Sequence, residues 1–137
     1  MDKIDIINPI KFYLFIFFIF QIFQDCNYND DKNLGDGFVY FADHKMISNI
    51  NGSCGEIPSN VLEYKHDKKF IVATQKPIEN DPNVLLYDTA YYYKQGYDNI
   101  YYWIILKEEK IIIGPMTKIE FLDVREKYCV SENLTLN

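Results

Sequence analysis

The sequence predicts an α+β domain, an antiparallel β-sheet of about five to seven strands with one C-terminal helix packed on it. Short aromatic and β-branched runs separated by polar turns recur between Phe38 and Thr74. Two apolar runs flank Glu108-Glu109, as the arms of a hairpin would. Thr117-Lys118-Ile119-Glu120 has the form of a capping box, in which a Thr hydroxyl and a Glu carboxylate satisfy free N–H groups of a first helical turn.

Gly35-Asp36-Gly37 opens the folded part, and Phe38 to Ala42 reads as a strand. Asp43-His44-Lys45 is a turn, and Met46 to Ile50 returns as a second strand closed by Asn51-Gly52. Val61 to Lys65 and Phe70 to Thr74 repeat the pattern around His66-Asp67, which suggests an antiparallel meander. Residues 75–83 contain Pro77 and Pro82 and have no period, so they form a long loop. Asp81-Pro82 has the form of a helix start, yet Val84, Thr89 and the tyrosines up to Tyr93 are poor helix formers. That region is expected to be loop with an irregular strand.

Ile100 to Lys107 and Lys110 to Ile113 form the clearest hairpin. A tight turn at the glutamates pairs Leu106 with Ile111 and Ile104 with Ile113. Side chains alternate across a strand, so Ile104, Leu106, Ile111 and Ile113 share one face and Trp103, Ile105 and Ile112 the other. Both faces are apolar and both should be covered. Gly114-Pro115 is expected to break the hairpin. The helix should run from Lys118 to about Tyr128, with Ile119, Phe121, Leu122, Val124 and Tyr128 inward.

The N-terminal segment points to export. Phe12 to Phe23 reads FYLFIFFIFQIF, follows Lys3 and Lys11, and gives way to Gln24, Asp25, Cys26 and Asn27. Such a run spans about 18 Å as a helix, short of a hydrocarbon core of about 30 Å, and has the size of a signal-peptide core. Cys26 stands where a lipoprotein thiol is lipidated, although Phe23, Gln24 and Asp25 replace the aliphatic and small residues usual before it. The expected division is a signal over 1–25, a tether over 26–34 and one β-rich domain over 35–137. An uncleaved anchor is the alternative for the first segment.

At 137 residues the chain suits one domain, and a net charge of -6 with a single arginine argues against a nucleic-acid partner. The aromatic share of 17% comes from 12 Tyr and 10 Phe, with Phe concentrated near the N-terminus and Tyr between Tyr87 and Tyr102. Tyr and Trp suit recognition, offering rigid apolar area with a polar tip. Tyr92, Tyr93 and Tyr97 are therefore the candidate binding surface; the competing reading places the tyrosines in the core and along the sheet edge.

No catalytic residue is expected, and neither a cofactor nor a metal. His44 beside Asp43 and His66 beside Asp67 lie in turns where both residue types are common for backbone reasons. Ser48, Ser53 and Ser59 lack a nucleophile elbow, and Cys54 has no local partner to activate it. With Cys26 lipidated, Cys54 and Cys129 remain as a candidate disulfide in an oxidising compartment, or as two small buried hydrophobes.

Trp103-Ile104-Ile105, Gly114-Pro115, Thr117, Glu120-Phe121 and Arg125 resemble the C-terminal half of a family of small bacterial lipoproteins of unknown function, over roughly residues 35–137. The resemblance implies export to the cell envelope and a Trp-bearing strand leading through Gly-Pro to a short helix; it implies no activity. The functional expectation is a membrane-attached envelope protein that binds a protein or ligand without catalysis. A structural or immunity-type envelope role is the alternative.

Overall fold

The computed structural model describes residues 30–52, 54–79, 81 and 93–137. Among them are eight strands and one helix. The strands are β1 (Lys32–Gly35), β2 (Phe38–Phe41), β3 (Met46–Asn49), β4 (Glu56–Ile57), β5 (Val61–His66), β6 (Phe70–Gln75), β7 (Tyr101–Leu106) and β8 (Ile111–Met116), and the helix is α1 (Lys118–Lys127). The architecture is α+β, as expected. The strands divide, however, into two four-stranded antiparallel meanders, β1-β2-β3-β4 and β5-β6-β7-β8.

The division follows from strand alternation. Leu34, Phe38, Ile47 and Ile57 of the first sheet meet Val61, Ile71, Ala73, Trp103 and Ile105 of the second in one buried cluster. The opposite face of the second sheet offers Val72, Ile104 and Leu106, which pack with Met116, Phe121, Val130 and Leu134. The second sheet is thus the middle of three layers, covered on both faces as its two apolar faces require. The expected pairs Leu106 with Ile111 and Ile104 with Ile113 both occur.

Three expectations change in detail. The first sheet begins at Lys32, inside the stretch read as tether, because β1 pairs with β2. Gly114-Pro115 does not end the hairpin. The pairing shifts register between Tyr102 and Ile104, and β8 runs on to Met116 as an edge strand, where a bulge tolerates proline. A Cβ at Gly114, whose φ is 146°, would lie 2.5 Å from Cε3 of Trp103, so the ring packs directly on the glycine backbone.

The helix begins as its sequence dictates. Thr117 Oγ1 accepts from the Glu120 N–H, and the Glu120 carboxylate accepts from the Thr117 N–H at 2.8 Å. Its inward stripe is narrower than expected. Phe121 is buried and Val124 packs on the cluster, but Ile119 and Leu122 are 75% and 53% exposed and Tyr128 is also exposed. The reason is Arg125, on the same stripe one turn after Phe121. Its guanidinium donates to the Leu134 and Ser131 carbonyls and lies over the Phe121 ring, which draws the C-terminal tail under the helix. Val130 and Leu134 then fill the space that Leu122 was expected to fill. Asn137 closes the tail by donating to the Glu63 carboxylate on β5.

A second tie joins the sheets. Lys107 is buried, and its ammonium donates to the Asp67 carbonyl at 2.6 Å while lying against Gly35 of β1, where a Cβ would come within 2.8 Å of Nζ. The φ of 89° at Gly35 also favours glycine there.

Candidate functional site

Gln75 organises the polar interior. It shares strand parity with Ile71 and Ala73, so its side chain faces the core between the sheets, where it is fully buried. A buried amide must find partners for both its ends. Its Oε1 accepts from Trp103 Nε1 at 2.8 Å, and its Nε2 donates to the Ser59 carbonyl and to the Tyr93 hydroxyl, both at 3.0 Å. Ser59 Oγ in turn donates to the His44 carbonyl at 2.6 Å. One hydrogen-bonded chain therefore runs from the core tryptophan to the turn between β2 and β3.

The expected tyrosine surface is revised by this network. Tyr93 is only 5% exposed, and its ring meets Tyr101 at 5.1 Å and Tyr97 at 5.7 Å between centroids. Tyr101 is buried as well, its hydroxyl donating to the Gly96 carbonyl and accepting from the Gln95 N–H. Tyr93 is thus a core residue and Tyr97 is half-buried against it, while Tyr92 lies outside the described residues. The physical reason is the Gln75 amide, which offers the Tyr93 hydroxyl an internal partner and lets the whole ring leave water.

At the outer end of the chain, Asp43, His44, Lys45, Ser59, Asn60, Ile78 and Asp81 line an open cleft of about 380 Å³. Its walls are fixed by main-chain bonds: Val61 N–H donates to the Lys45 carbonyl at 2.8 Å, and Asn60 and Lys76 exchange N–H···O bonds. The cleft carries charges of both signs, a hydroxyl, an amide and the half-exposed Ile78. The Asn60 Oδ1 is buried and has no hydrogen-bond partner among the described residues. Nearby Glu56 has its pKa raised, first by burial and then by the Asp81 charge. Sequence reasoning weighed Asp43-His44 and Ser59 only as catalytic candidates and set them aside, and it missed Asn60 and Ile78; the signal that could have found the network is a glutamine at an inward strand position.

The other candidates separate. The Asp67 carboxylate accepts from the Lys69 and Phe70 N–H groups, so it serves its own turn and not His66. Among the described residues no group of three or more His, Cys, Asp and Glu could hold a metal ion. Of the two alternatives for Cys54 and Cys129, the structure shows free thiols and not the candidate disulfide. Cys54 packs against the core between the sheets, whereas Cys129 is exposed after the helix that covers the opposite face, so the middle sheet separates them. Cys26 lies outside the described residues, and no described helix is long and apolar enough to cross a membrane.

No curated protein and no solved structure matched the chain. A family profile did, over residues 39–137, which takes in β3 to α1, the Gln75–Trp103 pair and every residue lining the cleft. The chain belongs to that family, described as Protein of unknown function (DUF3997).

Proposed function

We propose that the protein is exported to the bacterial cell envelope, is held at the membrane by a lipid on Cys26, and binds a small polar ligand or a protein segment without catalysis through the cleft at His44, Lys45 and Asn60. The observation that carries attachment is the order of the N-terminal residues. An apolar run too short to span is followed, after Gln24 and Asp25, by a cysteine, and the first strand starts six positions later at Lys32. That chain reaches at most about 20 Å when extended, which would keep the domain near the bilayer surface.

Binding is supported by the construction of the cleft. Rigid main-chain ties and the buried Gln75 network hold its walls in place, so little ordering cost would fall on the ligand. Ile78 supplies apolar contact, and the surrounding charges and amides supply orientation.

Membrane fractionation of the wild type and Cys26→Ala, with the mass of the mature N-terminus, tests attachment. The wild type should sediment with membranes and start at a modified Cys26, and the variant should be soluble or unprocessed. An intact Met1 in both, with equal sedimentation, would overturn the lipid anchor. A thermal-shift screen of small polar metabolites and peptides tests the cleft, where a ligand should raise the Tm of wild type but not of Lys45→Ala or Ile78→Ala. Stabilisation that survives both substitutions would place binding elsewhere.

A further inference from the structure

Tyr40 and Tyr64 meet across the two sheets. Tyr40 lies on β2 opposite Ile47, and Tyr64 lies on β5 opposite Ala73; both partners are buried, so both rings project from inner faces. Each ring is half-buried against the core between the sheets. Their centroids are 4.7 Å apart with the planes tilted by 36°. The phenol groups also feel each other. Burial raises both pKa values, and Tyr40 raises that of Tyr64 further.

The geometry points to Tyr40 and Tyr64 as a site of oxidative modification, at which a one-electron oxidant couples the two rings through a carbon–carbon bond and joins one sheet covalently to the other. Each phenol gives up one electron to the oxidant and its hydroxyl proton to water. The two phenoxyl radicals combine at the carbons adjacent to oxygen, and the two ring hydrogens at the new bond move to the oxygens. Two electrons and two protons leave in all, enough to reduce one hydrogen peroxide to two waters when a peroxidase supplies the oxidant. A phenol is protonated at neutral pH, so electron and proton depart together.

The other tyrosine pairs among the described residues are worse placed. Tyr93 and Tyr101 are 5.1 Å apart but buried, with both hydroxyls engaged in hydrogen bonds inside the protein. Tyr93 and Tyr97 are farther apart, at 5.7 Å. Tyr40 and Tyr64 alone among these combine the closest approach with partial access to solvent. The link would also supply the covalent tie between sheets that Cys54 and Cys129, on opposite sides of the middle sheet, do not supply.

The full chain, kept monomeric at low concentration in mild detergent, is oxidised with a photoexcited ruthenium tris-bipyridine complex and persulfate. The expected product is a monomer lighter by two hydrogens, with dityrosine fluorescence. After trypsin, peptide 33–45 should remain joined to peptide 46–65 despite cleavage at Lys45. Tyr40→Phe and Tyr64→Phe keep both rings and hence the packing, and each should abolish the joined peptide while leaving circular dichroism and Tm unchanged. The cross-linked protein should show a higher denaturation midpoint than the untreated one. The proposal is overturned if oxidation of other tyrosines proceeds without the joined peptide, if dityrosine appears only between molecules or at another pair, or if the joined peptide persists in either Phe variant.

Discussion

The indole of Trp103 occupies the space that a side chain at Gly114 would need: a Cβ there would sit 2.5 Å from Cε3 and 2.6 Å from Cδ2 of the ring. The ring cannot withdraw, because its Nε1 is held by the buried Gln75 amide. Gly114→Ala should therefore destabilise the domain by about 2–5 kcal/mol, from overpacking together with a φ of 146° that alanine adopts only under strain. Urea denaturation measures it. In a Trp103→Leu background the same change should cost clearly less, and equal costs in both backgrounds would mean that ring and glycine are not coupled.

Gln75→Leu keeps the volume of the side chain but leaves the Trp103 indole N–H and the Ser59 carbonyl without their partner. The expected loss is about 2–4 kcal/mol, against about 1 kcal/mol for Tyr93→Phe, which removes the hydroxyl that accepts from the Gln75 amide. Both should shift the urea midpoint without altering its slope. A Gln75→Leu variant as stable as wild type would mean that water replaces the amide.

Two carboxylates should act on stability with opposite sign. Glu120 has its pKa lowered by the hydrogen bond from the Thr117 backbone, and then by that from its side chain. A lowered carboxyl stabilises above its unfolded pKa and loses that contribution as pH falls through the folded one. Glu120→Gln should be the less stable protein at neutral pH, with the gap closing in acid. Glu56, raised by burial and then by Asp81, binds its proton more tightly when folded, so its penalty grows as pH rises from the ordinary carboxylate range through the folded value and is fully present above it. Glu56→Gln should gain less than about 1 kcal/mol at neutral pH, since solvent screens the site, and nothing in acid. Thermal melts across that range decide both.

Native alkylation should distinguish the thiols. Cys129 is exposed and Cys54 half-buried in the core between the sheets, so Cys129 should react first without any reductant. Equal protection of both, released only by reduction, would restore the disulfide and require the second sheet to open.

Much of the fold was legible where alternation repeats without interruption. In β7 and β8 the residues Ile104, Leu106 and Ile113 separate from Trp103, Ile105 and Ile112 on two faces, and pattern alone placed them. The division into two sheets was not legible, since Lys32–Gly35 and Glu56–Ile57 carry almost no strand signal and pair only because β2 and β3 present free edges. Apolar character misplaced Ile119 and Leu122, because the contacts of Arg125 with the tail, invisible to a helical period, set the rotation of the helix. In the candidate site, Asp43 and His44 could be named, but Ser59 and Gln75 meet only through tertiary structure, and their bond is what drew Tyr93 inward.

The tail beneath the helix bears on when the domain can fold. The outer face of the second sheet stays open until the chain has been synthesised at least to Leu134, and β6 has no inner neighbour until Tyr101–Leu106 has emerged. Early segments can form only the first small meander and the β5–β6 hairpin, each without most of its apolar cover. The layered form can close only once the last third of the chain is free to wrap back.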